Sequence, residues 1–330
     1  MLKKIFMFPV KHLVLVIPAV LTIGFLTGSY FDTSFLKNFI LPATFMMIYP
    51  TMIGFRLKEA VDLSHNRVVL TSLAVNFLLV PLLAYLLGNT FLLNHPQLFA
   101  GLALASLLPT SGMTISWTML NRGNVPAAVK ITVLGLLLGS LLAPWYLLFM
   151  VGKYVPVDIW KTFQIIAALI FLPLVLGNIT YRFLMKRYPP AVFKKDIKPL
   201  LPGISVCFML FIVFSSMSMK AKKIFSQPDL LLQSVVVIVL FYLGVFIIST
   251  IWGRIFLDRE NSITLVYSTA MRNLSSCLGL ALATFGAEAA LLITLAFIVQ
   301  VQAAAWYGKL EQRFNFFRES SRAPLAPRHH

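Results

Sequence analysis

Charge is scarce in this chain, and negative charge scarcer still. Only 12% of its 330 residues are charged, 11 of them acidic against 28 basic, where a soluble domain carries about 25%. That deficit excludes a disordered chain and an ordinary soluble enzyme. Cysteine is nearly absent. Cys207 and Cys277 both sit inside apolar runs, with no CxxC and no Cys/His cluster, so neither a disulfide scaffold nor a structural metal is expected. P-loop, nucleophile-elbow, HExxH and Rossmann glycine patterns are missing as well. No enzyme activity and no cofactor are expected. What fills the chain instead is apolar: 59% hydrophobic residues and a mean hydropathy of +0.86.

The apolar residues fall into runs of about 20, each long enough to cross a hydrocarbon core about 30 Å thick. Ten spans are read at roughly 10–30, 35–54, 68–88, 97–121, 126–151, 160–181, 199–219, 230–253, 262–284 and 287–308. The start, Met1-Leu-Lys-Lys before a long apolar stretch, lacks a small-residue cleavage site and is read as the first span, not a signal peptide. The expected fold is an all-α polytopic membrane protein. With the N-terminus inside, 20 basic residues fall on the cytoplasmic side against 6 on the other, and Lys130 and Arg272 lie within spans. Both termini are therefore expected in the cytoplasm, with the chain in a bacterial-type inner membrane. The net charge of +17 then reads as basic loops facing anionic lipid, not as a nucleic-acid surface. Residues 311–330 read as a cytoplasmic tail in which Ser320–His330 resembles an expression scar and histidine tag.

An internal repeat is visible. Leu41-Pro42 recurs as Leu201-Pro202, Leu70-x-Ser72 as Leu232-x-Ser234, and Ala143-x-Trp145-Tyr146 as Ala304-x-Trp306-Tyr307. All share an offset near 161 residues. Five spans per half is odd, so the halves, 1–152 and 153–310, must enter from opposite sides. That inverted repeat is the plan of many secondary transporters, which bind solute where helices are broken near the midplane.

Two polar interruptions correspond at the same offset. Span four holds Leu108-Pro109-Thr110-Ser111-Gly112-Met113-Thr114-Ile115-Ser116, and span nine holds Ser268-Thr269-Ala270-Met271-Arg272-Asn273. Pro109 removes a backbone donor and Gly112 relaxes the chain. Freed backbone groups in hydrocarbon must face a cavity or protein. Lys130 and Arg272 place charge at membrane depth, where it usually faces a cavity or a partner. Every carboxylate falls in loops, span ends or the tail, which leaves carbonyls, water or a bound anion as partners for the two cations. Asn76 in span three and, more weakly, Gln300 and Gln302 in span ten are further candidates for cavity lining. Gly135-x-x-x-Gly139 in span five allows close helix approach.

At these residues the chain resembles the bile acid/sodium symporter superfamily, including its arsenical-resistance branch. The resemblance rests on Leu41-Pro42 through Pro50-Thr-Met-Ile-Gly-Phe, Asn76 through Pro81, Pro109 through Gly123-Asn-Val, Thr132 through Pro144, and Met271-Arg-Asn through Phe285-Gly-Ala-Glu-Ala-Ala. It implies ten spans with crossed helices four and nine in a core of spans 3–5 and 8–10. A panel of spans 1, 2, 6 and 7 would move against that core to give alternating access. Sodium-coupled members of the family hold their ions with hydroxyls, amides and an acid. The acid position falls on Ser268, the neighbouring amide on Arg272, a Ser-Asn pair on Thr114-Ile115 and a hydroxyl on Ala128, while Asn76 and Thr132 keep side-chain oxygens. A fixed cation repels sodium, so these positions form a degraded sodium site. The arsenite branch uses a cysteine in span four and an acid in span nine. Here span four has no cysteine and Cys277 lies in span nine.

The expected function is secondary transport of a small organic anion, not coupled to sodium. Arg272, Lys130, Asn273, Thr110, Ser111, Thr114, Ser116, Ser268, Asn76 and Thr132 are the expected substrate-binding residues. In this reading Arg272 touches the anion and Lys130 fills the sodium space, with proton coupling through Lys130 if desolvation favours its neutral form. Arsenite or antimonite efflux and a sodium-coupled organic anion symporter are the alternatives within transport. A channel would need a continuous polar lining, and the interruptions are short.

Overall fold

The computed structural model describes residue 9 and residues 12–55, 65–226 and 228–317. The basic loop with Arg56, Lys58, Glu59 and Asp62, and the tail from 318 onward, lie outside the described residues. Helices account for nearly all of what is described, with no strand among the described residues. That is what hydrocarbon demands, because a helix satisfies its own backbone donors and acceptors.

In chain order the helices are α1 (Leu13–Tyr30), α2 (Ile40–Met52), α3 (Asn66–Phe91), α4 (Pro96–Leu107), α5 (Gly112–Leu120), α6 (Val125–Val151), α7 (Ile159–Arg187), α8 (Leu201–Ser226), α9 (Pro228–Phe256), α10 (Arg259–Ala270), α11 (Leu274–Thr284) and α12 (Ala287–Phe314). Six of the helical stretches are each long and apolar enough to cross a membrane, and the pair α4–α5, bent by 59°, makes a seventh. The chain is thus an integral membrane protein. Starts are marked by side-chain caps and by proline in the first turn. Asn124 Oδ1 accepts from Ala127 N at 3.1 Å, Asp158 Oδ1 from Lys161 N at 3.0 Å, and Asp258 Oδ1 from Asn261 N at 3.3 Å. Pro96 and Pro126 occupy first-turn positions, where the missing N–H costs nothing. Left-handed backbone flanks α12: Gly286 before it (φ 90°) and Asn315 after it (φ 47°).

The helices gather into two groups. In one, α8 lies along α1 and α2, and α7 packs on α2. In the other, α4 runs between α12 and α6, α11 lies on α12, and α9 packs on α10. The groups meet where α8 touches α12 and where α11 touches α2. Small residues set the closest approaches. A Cβ added at Gly28 of α1 would sit 1.9 Å from the Ser218 carbonyl oxygen of α8, and one at Gly101 would sit 2.5 Å from the Ala289 carbonyl oxygen of α12. Backbone cannot yield there as a flexible side chain would. Gly28→Val is expected to separate α1 from α8 and cost about 1–3 kcal/mol, read as a lowered melting midpoint in detergent. Gly112→Ala, whose added Cβ would meet nothing within 4 Å, is the matched control.

Candidate functional site

The two interruptions expected in spans four and nine are real breaks, and they bond to each other. After α4 the chain leaves helical geometry at Leu108. Thr110 then takes a positive φ of 62°, a strained state for a β-branched residue. Gly135 and Gly139 of α6 accommodate this break: a Cβ on Gly139 would lie 2.6 Å from the Leu107 carbonyl oxygen, and one on Gly135 would lie 3.0 Å from Thr110 Oγ1. Ser111 then caps α5, its hydroxyl accepting from Met113 N at 3.3 Å, while Thr114 Oγ1 accepts from Ser111 N at 3.1 Å.

The second break spans Met271–Asn273. Asn273 Oδ1 caps α11 through Ser276 N at 3.2 Å. Across the crossing, Asn273 N donates to the Leu108 carbonyl at 3.0 Å and Thr114 Oγ1 donates to the Met271 carbonyl at 3.3 Å. Gln300 of α12 accepts at one oxygen from Arg272 N (2.9 Å) and from the Tyr242 hydroxyl (2.7 Å). Gln300 therefore holds the break and is buried, whereas the sequence suggested only weak cavity lining. Tyr242 carried no signal in the sequence, because a tyrosine in an apolar run is most simply packing.

Arg272 is the centre of the arrangement. Its residue is fully buried. Nε donates to the Ala105 carbonyl at 2.9 Å, Nη2 to the Ser106 carbonyl, and Nη1 to Asn76 Oδ1 and to the Thr269 carbonyl at 3.3 Å. Ala105 and Ser106 lie in the last turn of α4, and Thr269 in the last turn of α10. These are carbonyls that a helix leaves without internal partners, at the negative end of its dipole. One guanidinium thus closes the C-terminal ends of both interrupted helices. Asn76 is aimed by α3, where a π turn covers Val75–Leu79. Its Nδ2 donates to the Ser72 carbonyl at 2.9 Å and lies 3.5 Å from Thr269 Oγ1, and Ser72 Oγ meets Ser268 Oγ at 2.9 Å. Cys277 donates from Sγ to the Leu104 carbonyl at 3.3 Å, adding a third carbonyl of the same α4 end.

The residues expected at one site divide into four places. Arg272, Asn76 and Ser268 form the buried cage. Thr110 and Thr132 lie together and buried: Thr110 Oγ1 lies 3.4 Å from the Thr132 carbonyl, and Thr132 Oγ1 donates to the Ala128 carbonyl at 2.7 Å, while Thr114, also buried, bonds instead to the Met271 carbonyl of the second break. Ser111, Ser116 and Asn273 remain at least partly open, as does Ile115, and Gly112 faces open space. The expectation that Lys130 and Arg272 line one pocket is not met. Lys130 is buried beside Val68, Val69, Ala127 and Ile131, and its Nζ donates to Asn66 Oδ1 at 3.3 Å. Asn66 precedes Asn76 by ten residues on one helix, about 15 Å at 1.5 Å per residue. Lys130 sits a turn into α6, at the end of the membrane helices and not at the crossing. Arg272 does not face a solute either, because carbonyls surround its guanidinium.

Two interrupted helices that bond to each other within an apolar bundle fit a transporter type of membrane protein. The model of the Sodium Bile acid symporter family matches residues 41–227, and the chain belongs to that family. It is 25% identical to the uncharacterized protein YbaS of Bacillus subtilis over 76% of this chain and 81% of that one. It is 20% identical to the arsenical-resistance protein Acr3 of Corynebacterium glutamicum over 74% of this chain and 70% of that one. It is 28% identical to the probable sodium/metabolite cotransporter BASS1 of rice over 71% of this chain and 56% of that one. A family of transporters, not enzymes, implies a small solute as substrate.

Proposed function

We propose that this chain is an alternating-access transporter of a small organic anion, and that Arg272 stands as a tethered cation where relatives would use sodium. The ten-span, inverted 5+5 plan belongs to this reading, with α1, α2, α7 and α8 as the moving panel. The matched breaks support it, as do two cavities at opposite ends of the bundle. One, of about 420 Å³, is lined by His65, Asn124, Asp258 and Asn261. The other, of about 330 Å³, is lined by His95, Gln97, Tyr154 and Glu288.

The guanidinium cage is the observation that carries the proposal. Sodium at such a crossing would need the oxygens that Arg272 already engages, and the fixed charge would repel it. The anion would bind beside the cage, where α5 and α11 begin. Ser111, Gly112, Ser116 and Asn273 are at least partly open there, and both helices point the positive ends of their dipoles at that space. Arg272 acts on the anion through the helix ends it holds and not by contact.

The test is uptake into proteoliposomes of a small carboxylate found by thermal-shift screening, since a bound ligand raises apparent stability. Rates in sodium and in choline buffer are expected to agree within experimental error. A requirement for sodium would remove the tethered-cation reading. Arsenite efflux is a second reading, favoured by the Acr3 relative and by Cys277 at the crossing. Restored growth of an arsenite-sensitive strain, lost in Cys277→Ser, would establish it.

A further inference from the structure

The crossing is open at one end of the bundle and sealed at the other. At the open end, α5 packs on α6 and α10, and Gly112 and Ser116 are at least partly open. At the sealed end, α11 is covered. Ser276, Cys277, Leu278, Gly279, Leu280 and Ala281 are all buried, and Gly279 lies against Thr44 of α2 so closely that a Cβ would come within 2.0 Å of Thr44 Cγ2. The seal continues where α8 meets the start of α12. Ser216 Oγ donates to the Ala287 carbonyl at 3.3 Å, and one turn further along α8, Lys220 Nζ pairs with Glu288 Oε1 at 3.2 Å. The Glu288 side chain is 7% exposed and that of Lys220 27%. This ion pair joins the two helix groups, whereas Arg259–Glu311 lies within one group.

We propose that Lys220–Glu288 is a latch holding α8 to α12 at the sealed end, and that its release uncovers the α11 face that Thr44 now covers. The proposal rests on the alternating-access reading, since a rigid bundle has no use for a latch. The pair is half-sheltered from solvent, and its loss should shift the equilibrium between states by about five- to tenfold.

The experiment uses the full chain in proteoliposomes, with Cys207→Ser and Cys277→Ala, and a single reporter thiol introduced by Thr44→Cys or Ser116→Cys. A small maleimide is the probe. With no further change, the reporter at position 44 is expected to react slowly and the reporter at position 116 quickly. Glu288→Gln or Lys220→Met should raise labelling at position 44 by about five- to tenfold and slow labelling at position 116. The exchanged pair Lys220→Glu with Glu288→Lys should return both rates toward their starting values. A variant that merely loosens the fold would speed both reporters and would overturn the latch. So would unchanged rates in the single variants, or an exchanged pair that labels like them. Labelling needs no solute, so a failed latch leaves the anion reading standing. Reciprocal labelling in a protein that binds no carboxylate would sustain the latch and reject that reading.

Discussion

Arg272→Ala is expected to lower the melting midpoint by roughly 10 °C, and sodium or guanidinium at millimolar concentration is expected to recover part of that loss. The size follows from what is left behind. Four oxygens, those of Ala105, Ser106, Thr269 and Asn76, lose their charged donor in a buried site. A buried acceptor without a partner costs about 1–3 kcal/mol, and removing one member of a buried charged network about 3–5 kcal/mol in all. At about 2–4 °C per kcal/mol for a chain of this order, the shift reaches roughly 10 °C. The recovery follows from the chemistry of the cage, because neutral oxygens gathered at two helix C-termini suit a small hard cation or free guanidinium. The parent protein should respond to neither ion. A variant as stable as the parent, or one blind to both cations, would mean that the carbonyls are satisfied without any cation and that the cage is only packing. Arg272→Lys should fall between, because an ammonium reaches fewer acceptors than a planar guanidinium fork.

Gly112→Asp is expected to leave the fold intact while weakening anion binding about a hundredfold. The position is open, with nothing within 4 Å of an added Cβ, so the side chain fits. A carboxylate in the first turn of α5 also suits the helix dipole, so stability should hold or rise slightly. For a solute at the same helix end, two like charges about 5 Å apart at an effective dielectric constant near 20 repel by about 3 kcal/mol, roughly a hundredfold in affinity. Gly112→Asn carries the same shape without charge and should bind nearly as well as the parent. Isothermal titration of the carboxylate into each purified variant separates the outcomes. Equal affinity in all three, or tighter binding in the aspartate variant, would show that the solute does not lie at the start of α5.

Much of this is legible in the chain alone. Pro109 and Gly112 inside one apolar run, and Met271-Arg-Asn at the matched place in another, announce two breaks, because polar and helix-breaking residues at membrane depth free backbone groups that must then find partners. Apolar run length likewise announces a membrane protein, and scarcity of carboxylates within the runs leaves carbonyls, water or a bound anion as partners for Arg272, among which the sequence alone does not choose. Other features are not legible. Gln300 and Tyr242 hold the second break through a shared oxygen, yet an amide and a phenol in apolar helices carry no mark of that task. Lys220 and Glu288 are 68 residues apart, and nothing local pairs them.

The sequence by itself determined the solvent of the protein, the places where its helices fail and the kinds of side chain at those failures, since periodicity, proline and charge act over a turn or two. Only the tertiary structure decided which cation belongs to the crossing. Lys130 and Arg272 look alike as charges in apolar runs, but α3 presents Asn66 to one and Asn76 to the other. The C-terminal carbonyls of α4 and α10 converge only on Arg272. That convergence joins elements more than 160 residues apart, and it exists only once the two broken helices cross.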